Sequence, residues 1–137
     1  MSEFSKDAKA IQMAAIRQKH TLPELRVRQV LHRKGRRFRL HRRDLPGTPD
    51  IVLPRFKLAI FVHGCFWHQH DNCSKATLPK KNREFWQEKF DQNRQRDKAV
   101  HTALETKGWK VEVIWECETK SEQSLEATVD RIIKKHL

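Results

Sequence analysis

The sequence predicts an α/β fold, a mixed central sheet flanked by helices. Two observations carry that expectation. "FKLAIFV" (56–62) is seven residues long and nearly all apolar, β-branched or aromatic, as suits a central strand buried on both faces. Around it the elements run helix, three strands, helix, strand, helix, an order that places helices against a mixed sheet.

"TLPELRVRQVLHRKG" (21–35) opens with Thr21 as N-cap and Pro23 in the first turn. Leu25, Val27, Val30 and Leu31 mark its apolar stripe, and Gly35 ends it. "RRFRLHR" (36–42) alternates apolar and basic residues, the pattern of a half-exposed strand. Pro46-Gly47 marks a turn, and Asp50 to Leu53 reads as a short strand closed by Pro54. A long charged helix follows over 82–106, with Phe85, Trp86, Phe90, Val100 and Leu104 interspersed; Gly108 stops it. "WKVEVIWEC" (109–117) is the last strand. "EQSLEATVDRIIKKHL" (122–137) is an amphipathic helix bearing Leu125, Val129, Ile132 and Ile133. Residues 1–20 are polar and only weakly periodic, which predicts a mobile arm ahead of one domain, 21–137. A chain of 137 residues suffices for a core without disulfides.

Lys and Arg number 29 against 17 Asp and Glu, a formal charge of +12. The basic residues cluster in "HRKGRRFRLHRR" (32–43) and "PKKNR" (79–83), so a polyanion is the expected partner. A basic helix with a bulky apolar face and a lipidation motif are both missing, which argues against a membrane surface. The first twenty residues hold no apolar run suited to a signal peptide, and no stretch approaches the ~18 apolar residues of a spanning helix. A reducing cytoplasm, near the nucleoid, is therefore expected. There, three cysteines point to metal or catalysis rather than disulfides.

Two of those cysteines and three histidines fall between His63 and Cys73. Cys65, His70 and Cys73, joined by Cys117 from the end of the last strand, would make a Cys3His zinc site if strands 57–63 and 109–116 are neighbours. Spacing leaves His68 and His70 both in reach, and ordinary core packing is the competing role for Cys65 and Cys117. Four protein ligands would leave no open position, so such a zinc is structural. Asp50 begins one strand and His63 ends the next, with His68 five residues on. An aspartate can hold Mg²⁺ largely through waters, and a histidine of near-neutral pKa can take a proton from an attacking water. His20, His32, His41, His101 and His136 lack such company and are expected to face solvent. Phe66 and Trp67 lie beside this constellation and Trp86 next to the basic "PKKNR"; aromatics among Lys and Arg stack on bases or wedge between base steps, and covering the core is their competing role. Together these features describe phosphodiester hydrolysis with local DNA distortion.

"LPGTPD", "FVHGCFWHQHDNC", "REFWQEKFDQNRQRD" and "GWKVEVIWEC", in that order, resemble the very short patch repair DNA mismatch endonucleases; so does "MAAIRQKHTLPELRVRQVLHRKG". The resemblance spans about residues 10–118. It implies a restriction-endonuclease-like core and nicking of one strand 5′ to the T of a T:G mismatch, the lesion left by 5-methylcytosine deamination. It implies Mg²⁺ on Asp50 and the backbone carbonyl of Val62, His68 as the water-activating histidine, His63 as a second active-site histidine, and support from Glu24 and Asn93. It further implies structural zinc on Cys65, His70, Cys73 and Cys117, intercalation by Phe66, Trp67 and Trp86, and an N-terminal arm closing over the DNA. The expected partner is double-stranded DNA bound by a monomer, with mismatch-repair proteins as further partners. Asp71-Asn72 makes the His70–Cys73 interval one residue longer than the family's spacing. The Glu-x-Lys of related nucleases is replaced by Phe61-Val62-His63, which excludes a lysine-dependent mechanism. Two rivals stand beside this reading. One is a restriction-type or less specific nuclease of the same fold, which would cut fully paired DNA. The other is a zinc-stabilised DNA-binding module without catalysis.

Overall fold

The computed structural model describes residues 21–71 and 73–137. The expectation of an N-terminal arm, and that of a solvent-facing His20, lie outside the described residues. Helix α1 (Leu22–Arg33) leads into strands β1 (Arg39–Leu40), β2 (Ile51–Leu53) and β3 (Leu58–His63). Helix α2 (Arg83–Thr106), strand β4 (Lys110–Trp115) and helix α3 (Glu122–His136) follow. The element order is the one the sequence predicts. Short 3₁₀ turns at Pro54–Phe56 and Glu116–Thr119 are additions to it.

The sheet runs β1-β2-β3-β4. The first two pairings are antiparallel, and β3 and β4 are parallel, in register from Leu58↔Lys110 to His63↔Trp115. Side chains alternate across a strand, and the sheet uses both faces. On one, Ile51, Leu53, Leu58, Ile60 and Ile114 pack with Val27, Val30 and Leu31 of α1 and Leu125, Val129 and Ile132 of α3. On the other, Val52, Ala59 and Phe61 pack with Leu45 and Leu104, closed by Val100, Trp109, Val111 and Val113. The molecule is thus three layers, α1 and α3 over the sheet and α2 beneath it. Burying each large aliphatic chain contributes roughly 1.5–3 kcal/mol, which is how a chain this charged holds a core.

Thr21 caps α1 as expected: its Oγ1 accepts the Glu24 N–H at 3.3 Å, and Glu24 Oε2 accepts the Thr21 N–H at 3.4 Å. Leu25 does not join the stripe; it is 40% exposed. At ~100° per residue, position 25 lies about 200° from 27, on the opposite side of the helix. The predicted strand 36–42 pairs only at Arg39 and Leu40, both exposed. It is an edge strand, and His41 turns away from extended geometry with φ +46°.

Gly47 shows how the turn before Asp50 is locked to α2. Its φ is +73°, and a Cβ there would lie 2.4 Å from Cγ1 of Val100. Gly47→Ala is expected to destabilise the protein by about 1–3 kcal/mol through overpacking. Adding Val100→Ala should recover part of that loss in chemical denaturation, because the clash is removed while the backbone strain remains.

Candidate active site and metal centres

Strand parity aims the site. Leu58, Ile60 and Val62 point toward α1 and α3, so Ala59, Phe61 and His63 point toward α2. On α2, Phe90, Asn93, Asp97, Val100, His101 and Leu104 recur at helical spacing; Val100 and Leu104 pack with Ala59 and Phe61, and His101 meets Phe61 and His63. This stripe is apolar at its ends, where Phe90 and Leu104 are buried, and polar in the middle. The polar stretch lies over the end of β3.

There the imidazoles of His63 and His68 stack, centroids 3.8 Å apart and planes within 7°. His68 Nδ1 is 2.6 Å from Asp97 Oδ2. Burial is the main force holding the His63 pKa down, to about 3, with His68 adding to it, so His63 is neutral at physiological pH. Burial alone would raise Asp97, but the His68 hydrogen bond and the surrounding imidazoles keep it below the usual carboxylate range. His101 stacks beyond His63 at 6.3 Å.

Asp50 lines the same cleft as these imidazoles. Its Oδ2 accepts the Val62 N–H at 2.8 Å, which ties the head of β2 to the end of β3. Burial pushes its pKa up to about 7; the Val62 N–H opposes that, and the Glu24 charge adds to it. Glu24, His41 and Asp50 each present a donor atom within 4.8 Å of the others. A buried carboxylate held near neutrality beside a second carboxylate is the donor chemistry a divalent cation suits. His41 Nε2 lies 2.5 Å from Glu24 Oε1, which also accepts Arg28 at 2.9 Å.

A second donor group is built on the parallel pair. His63 lies opposite Trp115, so the residues just beyond each strand, Cys65 and Cys117, meet: the Cys117 N–H donates to Cys65 Sγ at 3.4 Å. The loop after Gly64 then folds back on itself, with His70 N–H on the Cys65 carbonyl at 3.0 Å. His70 Nδ1 thereby reaches 3.7 Å from Cys65 Sγ and 3.4 Å from Cys117 Sγ. Tetrahedral zinc with ordinary Zn–S and Zn–N bonds sets that sulfur–nitrogen distance at about 3.5 Å. Cys73 completes the group, all four donors within 4.8 Å. Cys65, His70, Cys73 and Cys117 therefore form a possible metal site, and His70 rather than His68 belongs to it. The His70 ring stacks on Trp115 at 4.1 Å. Burial pushes the Cys65 thiol up to about 12, whereas the Lys75 N–H holds Cys73 down at about 7.

The same loop carries the aromatics. Phe66 meets Trp67, Trp86 and Phe90 edge-on, at 5.2, 5.8 and 5.1 Å. Trp67 is 39% exposed. Asn93 reaches this loop rather than the imidazoles, donating to the Trp67 carbonyl at 3.0 Å. Asp50, His63, His68, Phe66 and Trp67 line one cleft, and Arg26, Arg43, Lys75, Lys89, Arg96 and Lys120 ring it.

Three of the histidines expected to face solvent do not. His41 lies on Glu24. His101 is half-buried against Phe61 and His63. His136 Nε2 is 2.6 Å from Glu112 Oε2, because the end of α3 folds back over β4. Asp97 is not among the residues the sequence singles out, and His101 was expected to face solvent. Their signal is the polar interruption of the α2 stripe, in phase with Phe90 and Leu104.

A buried carboxylate and an imidazole–carboxylate pair lining one basic cleft are the groups that metal-assisted phosphodiester hydrolysis by a nuclease uses. The comparisons agree: the family model "DNA mismatch endonuclease Vsr" matches residues 1–75. The type II nicking enzyme V.XorIIP of Xanthomonas oryzae pv. oryzae is 50% identical over 121 residues, 88% of each chain. The type II nicking enzyme V.NmeAIP of Neisseria meningitidis is 40% identical over 131 residues, 96% of this chain and 93% of its own. The DNA mismatch endonuclease Vsr of Escherichia coli K12 is 38% identical over 122 residues, 88% of this chain and 78% of its own. The chain belongs to the Vsr family of DNA mismatch endonucleases. No described helix is long and apolar enough to cross a membrane.

Ionising the Asp50 carboxylate costs more in the folded protein than in the unfolded chain, so the protonated form's stability is lost as pH rises from about 4 toward about 7. Without added divalent cation, Asp50→Asn should melt at the wild-type temperature near pH 4 and above it at pH 8. Parallel melting curves across that range would contradict the buried setting of Asp50.

Proposed function

We propose that the protein nicks one strand of duplex DNA 5′ to the T of a T:G mismatch, opening very short patch repair after 5-methylcytosine deamination. The observation that carries this reading is the convergence of Asp50 with the His63–His68–Asp97 group in one basic cleft edged by Phe66 and Trp67. The three-layer core supports a restriction-endonuclease-like fold built as one domain over 21–137, with residues 1–20 as the arm that closes over DNA. Its setting is the bacterial cytoplasm, its partner double-stranded DNA, and its working form a monomer.

The basic rim holds phosphates, so binding weakens as salt rises and counterion release is lost. Phe66, Trp67 and Trp86 enter the base stack beside the mismatch; the energy of distortion is repaid by stacking and by closer contact of the rim. Asp50 and the Val62 carbonyl hold Mg²⁺, with Glu24 behind them. The cation supplies Lewis-acid stabilisation of charge on the phosphoryl oxygens. Asp97 fixes the ring of His68 through Nδ1, which leaves Nε2 to take the proton of the attacking water. Neutral His63 packs under His68 and adds no competing charge. Asn93 keeps Trp67 in place through its carbonyl. Zinc on Cys65, His70, Cys73 and Cys117 braces the loop that carries both histidine and wedge.

A strand-resolved nicking assay tests this, with T:G and C:G duplexes compared at one position, with and without Mg²⁺. Nicking of the T strand at T:G alone is expected. Equal cutting of the paired duplex would make the protein a less specific nuclease of the same fold. Asp50→Ala should slow nicking by ~10³-fold or more while mismatch binding survives. Trp67→Ala should instead weaken mismatch binding by about 1–3 kcal/mol. Mismatch-independent affinity in that variant equal to wild type, with mismatch affinity also unchanged, would restrict Trp67 to packing.

A further inference from the structure

His41 is tied to the Asp50 turn twice over. Its backbone N–H donates to the Asp50 carbonyl at 3.2 Å, and its ring stands in the donor group of Asp50 and Glu24. The ring is 11% exposed, at the wall of the cleft. Its backbone is left-handed, φ +46°, a conformation that costs a non-glycine residue energy and that persists where the surroundings enforce it.

Glu24 is committed elsewhere. Oε1 accepts from Arg28 and faces His41 Nε2, while Oε2 accepts the Thr21 N–H. A carboxylate held this way orients an imidazole, and a carboxylate behind a ring nitrogen is the usual support of a metal-bound histidine. An all-oxygen site suits Mg²⁺, whereas an imidazole nitrogen favours transition metals.

We propose that His41 is a ligand of the cation held by Asp50, so that this site is a mixed nitrogen–oxygen one that takes Mn²⁺ in preference to Mg²⁺. The proposal rests on the reading of Asp50 as the cation-binding residue. Mg²⁺ serves through the oxygens alone; Mn²⁺ gains the nitrogen as well.

The test uses zinc-loaded, DNA-free protein and Mn²⁺ as probe. Pulsed electron paramagnetic resonance of bound Mn²⁺ should show a directly coordinated imidazole nitrogen in the wild type. His41→Asn, chosen because asparagine tolerates the left-handed backbone, should lose that signal. Its Mn²⁺ affinity should fall on the order of 10- to 100-fold, with Mg²⁺ affinity, read by competition, changing far less. Oxygen-only coordination in the wild type overturns the proposal whatever the variant does. So does a nitrogen signal that survives in His41→Asn, or an equal fall for both cations, which would make His41 only a support for Glu24. Asp50→Asn separates the two readings: it should lose both cations. If it binds them as the wild type does, the assignment of Asp50 falls, and this proposal with it.

Discussion

Everything functional in this protein depends on β3 being buried on both faces and paired on both sides. A strand in that position cannot slip by one residue without exchanging its two faces. Parity then dictates the rest. Val62 keeps its side chain in the α1/α3 layer and offers its N–H to Asp50. His63 faces α2 and meets His68. Parallel pairing with β4 delivers Cys117 to Cys65 just past the strand ends. One secondary-structure decision, taken by five apolar residues and the histidine that ends them, sets the registry of three separate chemistries.

The loop from Gly64 to Cys73 is short of conventional structure and dense in obligations. It supplies three donors of the cysteine–histidine group, a further imidazole and two aromatics, and Gln69 sits in it at φ +48°. Such a segment is held by what it touches. His70 N–H closes on the Cys65 carbonyl, Gln69 Nε2 donates to the Phe66 carbonyl, and α2 reaches across with Asn93 and Arg94. The cysteine–histidine group sits on one side of this loop and the Asp97–His68 pair on the other, so the imidazole is positioned from two directions.

Much of this was legible in the sequence, for physical reasons. "FKLAIFV" announced a strand buried on both faces because, Lys57 aside, nothing in it needed water. Thr21 and Glu24 announced a helix start because a capping box satisfies otherwise orphaned N–H groups. The metal donors stood out because cysteine and histidine crowd one stretch. What stayed hidden depended on distance. Asp97 and His101 are ordinary helix residues until α2 is laid against β3. His41 reads as one basic residue among many until a left-handed turn carries its ring to Glu24. His136 meets Glu112 only because the chain's end returns to its last strand. Leu25 failed for a simpler reason, since composition suggested a stripe and angular position forbade it.

Helix α2 carries Trp86 near its start and Asp97 eleven residues later, on one rigid rod. At 1.5 Å per residue the two are offset by about 16 Å along the axis. The helix is therefore a ruler. The gap between Trp86 and the carboxylate of the imidazole–carboxylate pair is written in helical pitch, not in reactivity. Evolution could retune the chemistry at either mark without moving the other. It could not lengthen the rod by a single residue without turning one end about 100° away from the duplex.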